Sequence, residues 1–158
     1  MELTRENMKD RFLKRFNYGF DFSIGPGWWP LVADLDEKLC MIDANYTVDQ
    51  IKEKFGGLRF YATMSDGAAN TRADILGLGS LTMRNEQAEA NPAFDEFMAA
   101  IDAAEDASYK VCEECGAPGV LCASGGGWLM TRCEACAEKE GVEVLEDEAD
   151  GNDGENEF

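Results

Sequence analysis

The sequence predicts an α+β fold, and three patterns along the chain support this assignment. Apolar residues recur at helical spacing in three segments, which is typical of amphipathic helices. Apolar residues also flank a Gly-Gly pair, which indicates a β-hairpin, and two Cys-x-x-Cys pairs follow near the C-terminus. We therefore predict a small core of helices and a β-hairpin over residues 1–110, a four-cysteine ribbon over residues 111–139 and a disordered acidic tail over residues 140–158. An alternative for the start of the tail is a short strand at Val142–Leu145, with disorder after it.

The charge of the chain is strongly acidic and unevenly distributed. Fourteen Lys and Arg residues oppose 32 Asp and Glu residues, so the formal net charge is −18 at pH 7. Residues 85–108 contain seven acidic and no basic residues, and residues 138–158 contain ten acidic residues and one lysine. Binding to a phosphate backbone requires clustered Lys and Arg, so the composition argues against that class of protein.

The chain contains no histidine. This excludes Ser-His-Asp and Cys-His nucleophilic catalysis and restricts any metal site to Cys or carboxylate ligands. Carboxylates are numerous, but no spacing singles out a catalytic pair, and the sequence has no phosphate-binding loop or nucleophile elbow. The sequence therefore favours a binding protein over an enzyme.

The N-terminal string MELTRENMKDRF is charged throughout and lacks the apolar segment of a signal peptide. The sequence has no run of about 18 apolar residues, so we expect no transmembrane helix and no membrane partner. Six cysteines without a secretory signal are typical of reduced thiols or metal ligands. We therefore predict a cytoplasmic location.

The first predicted helix covers residues 4–17, where Met8, Phe12, Leu13 and Phe16 recur at three- and four-residue spacing. Basic residues lie on the opposite side. Such a face is usually only solvated, and the alternative is a docking face for an acidic partner or for the acidic tail of this chain.

The second predicted helix follows the breaker Gly25-Pro26-Gly27 and begins near Trp28-Trp29-Pro30, because proline is well tolerated in a first helical turn. Its apolar stripe consists of Leu31, Val32, Leu35, Leu39 and Ile42. Two adjacent tryptophans cannot both point inward from one stripe. We expect one of Trp28 and Trp29 in the core and the other as a surface anchor for a partner.

The string YTVDQIKEKFGGLRFYATMS predicts a β-hairpin. One arm carries Val48, Ile51 and Phe55, the other carries Leu58, Phe60 and Tyr61, and Gly56-Gly57 supplies a turn that needs positive φ. The basic residues around the turn are Lys52, Lys54 and Arg59. They either keep the hairpin soluble or mark a partner-binding site in an otherwise acidic protein.

Residues 65–91 are rich in Gly, Ala and Asn and weakly periodic, so we expect a long surface loop or insertion. Asn91-Pro92 then predicts a helix start. The apolar stripe of this helix consists of Phe94, Phe97, Met98, Ile101 and Ala104. We expect its acidic residues to form a solvent-facing, candidate partner-binding surface; they are Asp95, Glu96, Asp102, Glu105 and Asp106.

The two Cys-x-x-Cys pairs are Cys112/Cys115 and Cys133/Cys136, separated by 17 residues. A two-residue gap lets both thiolates of one turn reach a single ion at about 2.3 Å, and a second turn completes a tetrahedron. A Gly-rich segment between the pairs suggests a hairpin, as in a zinc ribbon. We therefore predict a four-cysteine site for a structural Zn²⁺ ion, with zinc favoured over iron because no redox signal is present.

Three strings, GPGWWPLV, QIKEKFGGLRFY and CEECGAPG…GGWLMTRCEACA, resemble those of a family of small uncharacterised proteins encoded by bacteriophages and bacteria. The resemblance covers residues 25–63 and 94–138, and the string at Gln50–Tyr61 is the most distinctive. It implies a pair of zinc-binding knuckles at the four cysteines and a phage or prophage context, and it implies no activity. The chain departs from an ideal second knuckle because Ala137 stands where a glycine would follow the pair.

These observations favour a zinc-containing, acidic, phage-type accessory protein that binds a host protein in the bacterial cytoplasm. Its acidic helix and tail would inhibit a nucleic-acid-processing or defence enzyme by imitating the charge of nucleic acid. The alternative is a zinc-ribbon factor that binds nucleic acid or takes part in transcription, with its positive charge from Lys52, Lys54, Arg59, Lys110 and Arg132. A hydrolytic enzyme is the least favoured hypothesis, and no oligomeric state is predicted.

Overall fold

The computed structural model describes residues 2–17, 19, 21–75 and 79–145. Its helices are α1 (Arg5–Leu13), α2 (Trp29–Ile42), α3 (Glu86–Ala90), α4 (Phe94–Ser108) and α5 (Glu134–Glu140). Its strands are β1 (Phe22–Ser23), β2 (Thr47–Lys54), β3 (Gly57–Thr63), β4 (Asn70–Ile75), β5 (Gly79–Arg84), β6 (Val120–Ala123), β7 (Leu129–Arg132) and β8 (Glu143–Val144). The strands form three small sheets, in the orders β1-β2-β3, β4-β5 and β7-β6-β8. This arrangement confirms the predicted α+β class.

Helix α1 is shorter than the 4–17 span that the apolar spacing predicts. Thr4 and Asn7 form a capping box, which sets its start. The helix ends at Leu13 because the following backbone pairs with β2 instead: Val48 N–H donates to the Arg15 carbonyl at 2.7 Å. Met8 and Phe12 are fully buried, as the apolar stripe predicts. Leu13 belongs to the same predicted stripe but is exposed.

Two basic residues of the predicted first helix, Arg11 in α1 and Arg15 after it, contribute to a buried ionic cluster. Asp36 of α2 is almost fully buried and pairs with Arg11 at 3.1 Å and with Arg15 Nε at 2.8 Å. The Tyr46 hydroxyl donates to the same carboxylate, and burial together with this hydrogen bond raises the pKa of Tyr46. The prediction of a purely solvated basic face is therefore wrong for Arg11 and Arg15. A buried carboxylate needs such partners, because an isolated buried charge is strongly unfavourable.

Helix α2 begins at Trp29, preceded by a 3₁₀ turn over Pro26–Trp28. Trp28 is fully buried, so it is not available as a surface anchor. Trp29 is half-buried and packs against the core. The two tryptophans separate as expected into a core residue and a more accessible one, but neither is an open anchor.

Strands β2 and β3 form the predicted antiparallel hairpin, with Lys52 opposite Arg59 and Lys54 opposite Gly57. The turn lies one residue earlier than expected, since Phe55 and Gly56 adopt positive φ values of 54° and 83°. Gly57 belongs to β3 instead, and a Cβ atom there would overlap the ring of Tyr109. Gly56 is therefore needed for the positive φ of the turn, and Gly57 is needed for close packing against Tyr109.

Helix α4 packs against α2 and β3, with Phe94, Phe97 and Ile101 buried. It begins at Phe94, two residues after Pro92, because the Asn91 side chain accepts from Ala93 N–H in a turn that precedes the helix. The acidic side is not uniformly exposed. Glu105 is buried, and its Oε1 accepts from Phe60 N–H at 3.0 Å.

Glu105 thus covers the outer edge of β3 and is not part of a partner-binding surface, contrary to the expectation from helical periodicity. Ser108 acts in the same way, since its hydroxyl oxygen accepts from Leu58 N–H at 2.9 Å. These two side chains satisfy backbone donors on the side of β3 that faces away from β2. Covering an edge in this way prevents the strand from pairing with another chain.

We expect Glu105→Ala to destabilise the protein by about 1–3 kcal/mol, because it leaves the buried Phe60 N–H without an acceptor. Urea denaturation monitored by circular dichroism measures this change. Glu105→Gln keeps an acceptor oxygen and should recover most of the loss, and the exposed neighbour Asp106 is a control whose replacement by Ala should change stability by less than about 0.5 kcal/mol. Equal midpoints for all three variants would contradict this role.

Residues 65–91 contain the regular elements β4, β5 and α3, so the loop alternative is wrong for these residues, and the insertion alternative stays a prediction. Strands β4 and β5 form an antiparallel hairpin in continuous register from Asn70/Arg84 to Ile75/Gly79. Asn85 then caps α3 by accepting from Ala88 N–H at 2.9 Å. The side chains of Leu81 and Met83 are exposed on β5. Leu81 and Met83 alternate with Ser80, Thr82 and Arg84 along β5, which is a strand pattern within a segment otherwise rich in Gly, Ala and Asn.

The C-terminal part of the described chain forms the ribbon sheet and α5. Helix α5 ends at Gly141, whose φ of 69° suits a C-cap, and β8 pairs with β6. Residues 140–145 are therefore structured, and β8 lies within the short strand that the sequence offers at Val142–Leu145 before the tail. The predicted disorder of residues 146–158 lies outside the described residues. Among the described helices, none combines the length and the apolarity needed to cross a membrane.

Candidate metal centre

The first pair of cysteines lies on a tight turn directly after α4. Val111 forms a bridge with Pro118, and Cys112 N–H donates to the Ala117 carbonyl at 2.8 Å. Gly116 has a φ of 79°, as the turn after Cys115 requires. This geometry directs both sulfurs of the pair to the same side of the turn.

The second pair lies where β7 meets α5. Cys133 is the N-cap of α5, and Cys136 belongs to the first turn of that helix. Cys136 N–H donates to the Cys133 sulfur at 3.4 Å. Because a helix follows the second pair, Ala137 continues it and no glycine is needed there. The departure from an ideal knuckle therefore has a structural reason.

The β6–β7 hairpin brings the two pairs together, so that the four cysteine sulfurs lie within 4.8 Å of one another. The sulfurs of Cys115 and Cys133 are 3.5 Å apart. Tetrahedral coordination with Zn–S bonds of about 2.3 Å places sulfurs about 3.8 Å apart, which fits this arrangement. The four cysteines could therefore hold one metal ion, and an all-thiolate tetrahedron is typical of zinc.

The four thiols differ in their electrostatic surroundings. Burial acts to raise the pKa of Cys112, but hydrogen bonds from the backbone of Cys133, Cys115 and Glu114 lower it to about 7. The neighbouring Cys133 sulfur raises the pKa of Cys136 to about 12. Four thiolates this close repel one another, so a divalent cation is the group that would stabilise them together.

The first knuckle is attached to the helical core through the Gly-Pro-Gly-Trp segment. Trp28 Nε1 donates to the Val111 carbonyl at 2.8 Å, and Gly27 N–H donates to the Glu113 carbonyl at 2.6 Å. Gly25 N–H donates to Glu113 Oε1 at 2.9 Å. A Cβ atom on Gly27 would overlap the backbone of this knuckle. Residues 25–28 therefore form the packing and hydrogen-bonding surface, which we call the seat, against which the turn that carries Cys112 is held.

A second set of contacts includes ion pairs within the ribbon and a hydrogen bond from the ribbon to the β2–β3 hairpin of the core. Arg132 is largely buried and forms ion pairs with Glu140 at 2.6 Å and with Glu113 and Glu114 at 3.5 Å. The Thr131 hydroxyl donates to the Gly56 carbonyl at 2.6 Å. Arg132 is consequently engaged within the ribbon, and it does not supply the free positive charge expected of a nucleic-acid contact.

The two remaining cysteines lie outside the four-sulfur group. Cys122 is buried on β6, and its thiol donates to the Val120 carbonyl at 3.4 Å. Cys40 lies on α2 beside Arg15 and Asp36. Burial raises the pKa of both thiols, which is expected of inert core cysteines rather than ligands.

The structure separates the candidate partner-binding residues into groups. Asp95, Glu96, Asp102 and Asp106 are exposed on α4, while Glu105 is buried. Lys52, Lys54 and Arg59 are half-buried and share one face of the β2–β3 hairpin.

Sequence reasoning missed two exposed aromatic side chains. Trp128 is 77% exposed at the turn of the β6–β7 hairpin, and Phe55 is 56% exposed at the turn of the β2–β3 hairpin. The signal that could have indicated Trp128 is its position directly after Gly125-Gly126-Gly127, where few side chains are available to cover it.

Comparisons of the chain with protein-family models, with curated proteins and with solved structures find no match. The role of the site is therefore inferred from its own geometry. Four sulfurs converge at one point, and the elements that carry them are bonded to the core at Gly25, Gly27, Trp28 and Gly56.

Proposed function

We propose that this protein binds one Zn²⁺ ion through Cys112, Cys115, Cys133 and Cys136, and that the ion is structural. The observation that carries this proposal is the convergence of four sulfurs within 4.8 Å. Four protein ligands close a tetrahedral coordination sphere and leave no position for water or substrate. The role of the metal is then to hold the ribbon on the core, and the function of the protein is binding rather than catalysis.

The partner that we propose is a host protein with a basic groove, such as a nucleic-acid-processing or defence enzyme. This proposal is supported by the acidic side of α4, where Asp95, Asp102 and Asp106 lie at positions i, i+7 and i+11 and so share one side of the helix. Glu96 adds a fourth exposed carboxylate. The resemblance at Gln50–Tyr61 to phage-encoded proteins supports a role as an accessory factor acting on its host.

Mimicry of nucleic-acid charge would explain why the acidity is concentrated. The four exposed carboxylates of α4 extend over about 17 Å of helix. A DNA strand presents one phosphate per about 3.4 Å of its axis, so the helix carries negative charge at a lower but similar density, although Asp95 is also ion-paired with Arg84. Complementary charge accelerates encounter and selects the partner. The partner would thereby be inhibited, because its groove could not hold nucleic acid at the same time.

The test compares the wild-type chain with the double variant Asp102→Asn/Asp106→Asn. We expect a host protein captured by the tagged wild-type chain at moderate salt, and we expect duplex DNA to displace it. Removal of two charges from the contact should weaken capture at least tenfold. These residues are chosen because both side chains are exposed, so the substitutions should leave the core unchanged.

A matched control is Asp10→Asn/Glu138→Gln, which removes two exposed carboxylates from α1 and α5. This control should capture the host protein as the wild type does. Equal loss in both double variants would assign the effect to net charge alone, and capture that duplex DNA does not displace would contradict mimicry.

A further inference from the structure

One face of the β2–β3 hairpin is positively charged in a chain of net charge −18. Lys52 and Lys54 are two residues apart on β2, and alternate residues of a strand point to the same side. Arg59 lies directly opposite Lys52 on β3 and therefore belongs to the same face, where its half-buried guanidinium also donates to the Leu58 carbonyl at 3.0 Å and to the Tyr109 hydroxyl at 3.4 Å. We call these three residues the cationic strip. Lys52 Nζ lies 5.6 Å from the centre of the Tyr61 ring, which adds an aromatic surface beside it.

Two exposed aromatic rings, those of Phe55 and Trp128, lie beside the Lys54 end of the cationic strip. Phe55 follows Lys54 at the hairpin turn, and Lys54 Nζ lies 5.3 Å from the centre of the Phe55 ring. Trp128 lies at the turn of the β6–β7 hairpin, and the two turns enclose a groove of about 460 Å³. The groove is lined by Glu53, Lys54, Phe55, Gly127, Trp128 and Leu129. Its volume is within the range of about 300–1,000 Å³ that is usual for small-molecule sites.

The position of the Phe55 ring is set by the backbone of the hairpin turn. Phe55 has a φ of 54°, which is strained for a bulky side chain, and such strain is retained where the surrounding structure enforces it. The enforcing contacts are the hydrogen bond from the Thr131 hydroxyl to the Gly56 carbonyl and the hydrogen bond from Gly56 N–H to Glu53 Oε1. The strain places an aromatic ring in solvent, where it makes no contribution to the core.

We propose that the cationic strip, Phe55 and Trp128 form a binding site for single-stranded nucleic acid. Exposed aromatic rings beside a row of cations are the arrangement that single strands use, because unpaired bases stack on the rings while phosphates lie along the cations. Duplex bases are stacked on each other and cannot reach these rings. The positive charge of the strip is complementary to a phosphate backbone, in a chain whose net charge of −18 otherwise repels one.

This site is separate from the acidic side of α4 and does not depend on the proposed inhibition of a host protein. It also differs from the metal knuckles, whose Arg132 is occupied by three glutamates. Nucleic-acid binding is therefore assigned to the two hairpin turns rather than to the cysteine-bearing turns.

The experiment is fluorescence anisotropy with a fluorescein-labelled deoxythymidine oligomer of about 12 nucleotides and the full-length, zinc-loaded chain. We expect saturable binding at low salt. Trp128→Ala should weaken binding about tenfold or more, because one stacking platform is lost. Lys54→Gln should reduce the slope of log affinity against log salt by about 0.7, the value for one phosphate contact on a single strand.

Two matched controls come from α2. Met41→Ala removes an exposed apolar side chain and Lys38→Gln removes an exposed charge, and both should bind the oligomer as the wild type does. Circular dichroism and zinc content confirm that each variant is folded. Absence of oligomer binding at low salt would overturn the proposal, and so would binding that Trp128→Ala leaves unchanged. Equal competition by a poly-glutamate peptide would overturn it as well, since the site would then recognise negative charge without bases.

Discussion

Removal of the metal with a chelator is expected to unfold at least residues 111–138 and to disturb the core around Trp28. Structural zinc in zinc-finger peptides contributes about 10–16 kcal/mol of apparent binding free energy at pH 7, and this energy is also folding energy. The sheet β7-β6-β8 has short strands and few buried apolar residues of its own, of which Cys122 is one. Without the ion, the four thiols lose the group that holds the two knuckles together.

The spectroscopic signal of the Trp28 indole can report this unfolding. Its Nε1 donates to the Val111 carbonyl directly before the first knuckle, so unfolding of the ribbon breaks that bond. Near-ultraviolet circular dichroism and tryptophan fluorescence should both change on chelation and recover when zinc is returned. The exposed Trp128 should contribute little to the change in these signals, because its surroundings are already solvent in the folded protein.

Elemental analysis should give one zinc ion per chain. Cys115→Ser should lower this content and reproduce the effect of the chelator, whereas Cys122→Ala should retain the ion because Cys122 lies outside the four-sulfur group. A native spectrum that persists after complete removal of the metal would contradict a structural role. Loss of zinc in Cys122→Ala with retention in Cys115→Ser would show that the ligands are wrongly assigned.

Replacement of Gly27 by Ala is expected to destabilise the zinc-loaded protein by about 4 kcal/mol. The new Cβ atom would overlap the Cys112 carbonyl oxygen and crowd the Glu113 carbonyl and the Gly116 amide, all of which are backbone groups that cannot move aside alone. Gly27 N–H would also lose its 2.6 Å hydrogen bond to Glu113 if the turn were displaced. Losses of this size are expected only where packing or buried hydrogen bonds are directly disrupted.

Urea denaturation measures this effect, and Gly125→Ala is the matched control. A Cβ atom on Gly125 would have no heavy atom within 4 Å apart from its own chain neighbours, so this replacement should change the free energy of unfolding by less than about 1 kcal/mol. If Gly27→Ala unfolds at the same urea concentration as Gly125→Ala, the seat described for the first knuckle is not a stabilising contact. We also expect the ribbon and the core of the wild type to unfold in a single urea transition.

Both predictions depend on contacts between residues that are distant in sequence. The sequence pattern divides the chain into a core at residues 1–110 and a ribbon at residues 111–139, and the contacts of Trp28, Gly27 and Thr131 join them. Metal binding is therefore expected to be linked to the stability of the helical core. A ribbon that was merely appended would transmit no such effect.

Patterns of short range are sufficient to predict several elements. The spacing of Phe94, Phe97 and Ile101 predicts α4, and the Cys-x-x-Cys pairs predict four sulfurs that the structure brings together. Such predictions succeed because helical periodicity and knuckle spacing depend on neighbouring residues only. The turn of the first hairpin lies one residue away from its predicted place, since packing of Gly57 against Tyr109 acts over 52 positions of sequence.

The sequence alone determined the fold class, the concentration of acidity and the four candidate ligands, because composition, periodicity and spacing are local properties. Only the tertiary structure decided that Glu105 covers an edge of β3, that Trp28 seats the first knuckle, and that Trp128 and Phe55 are exposed aromatic residues. The physical reason is that burial of a side chain depends on which distant elements pack over it. A glutamate on a polar helical face can accept a buried hydrogen bond, and a tryptophan beside three glycines can remain in solvent.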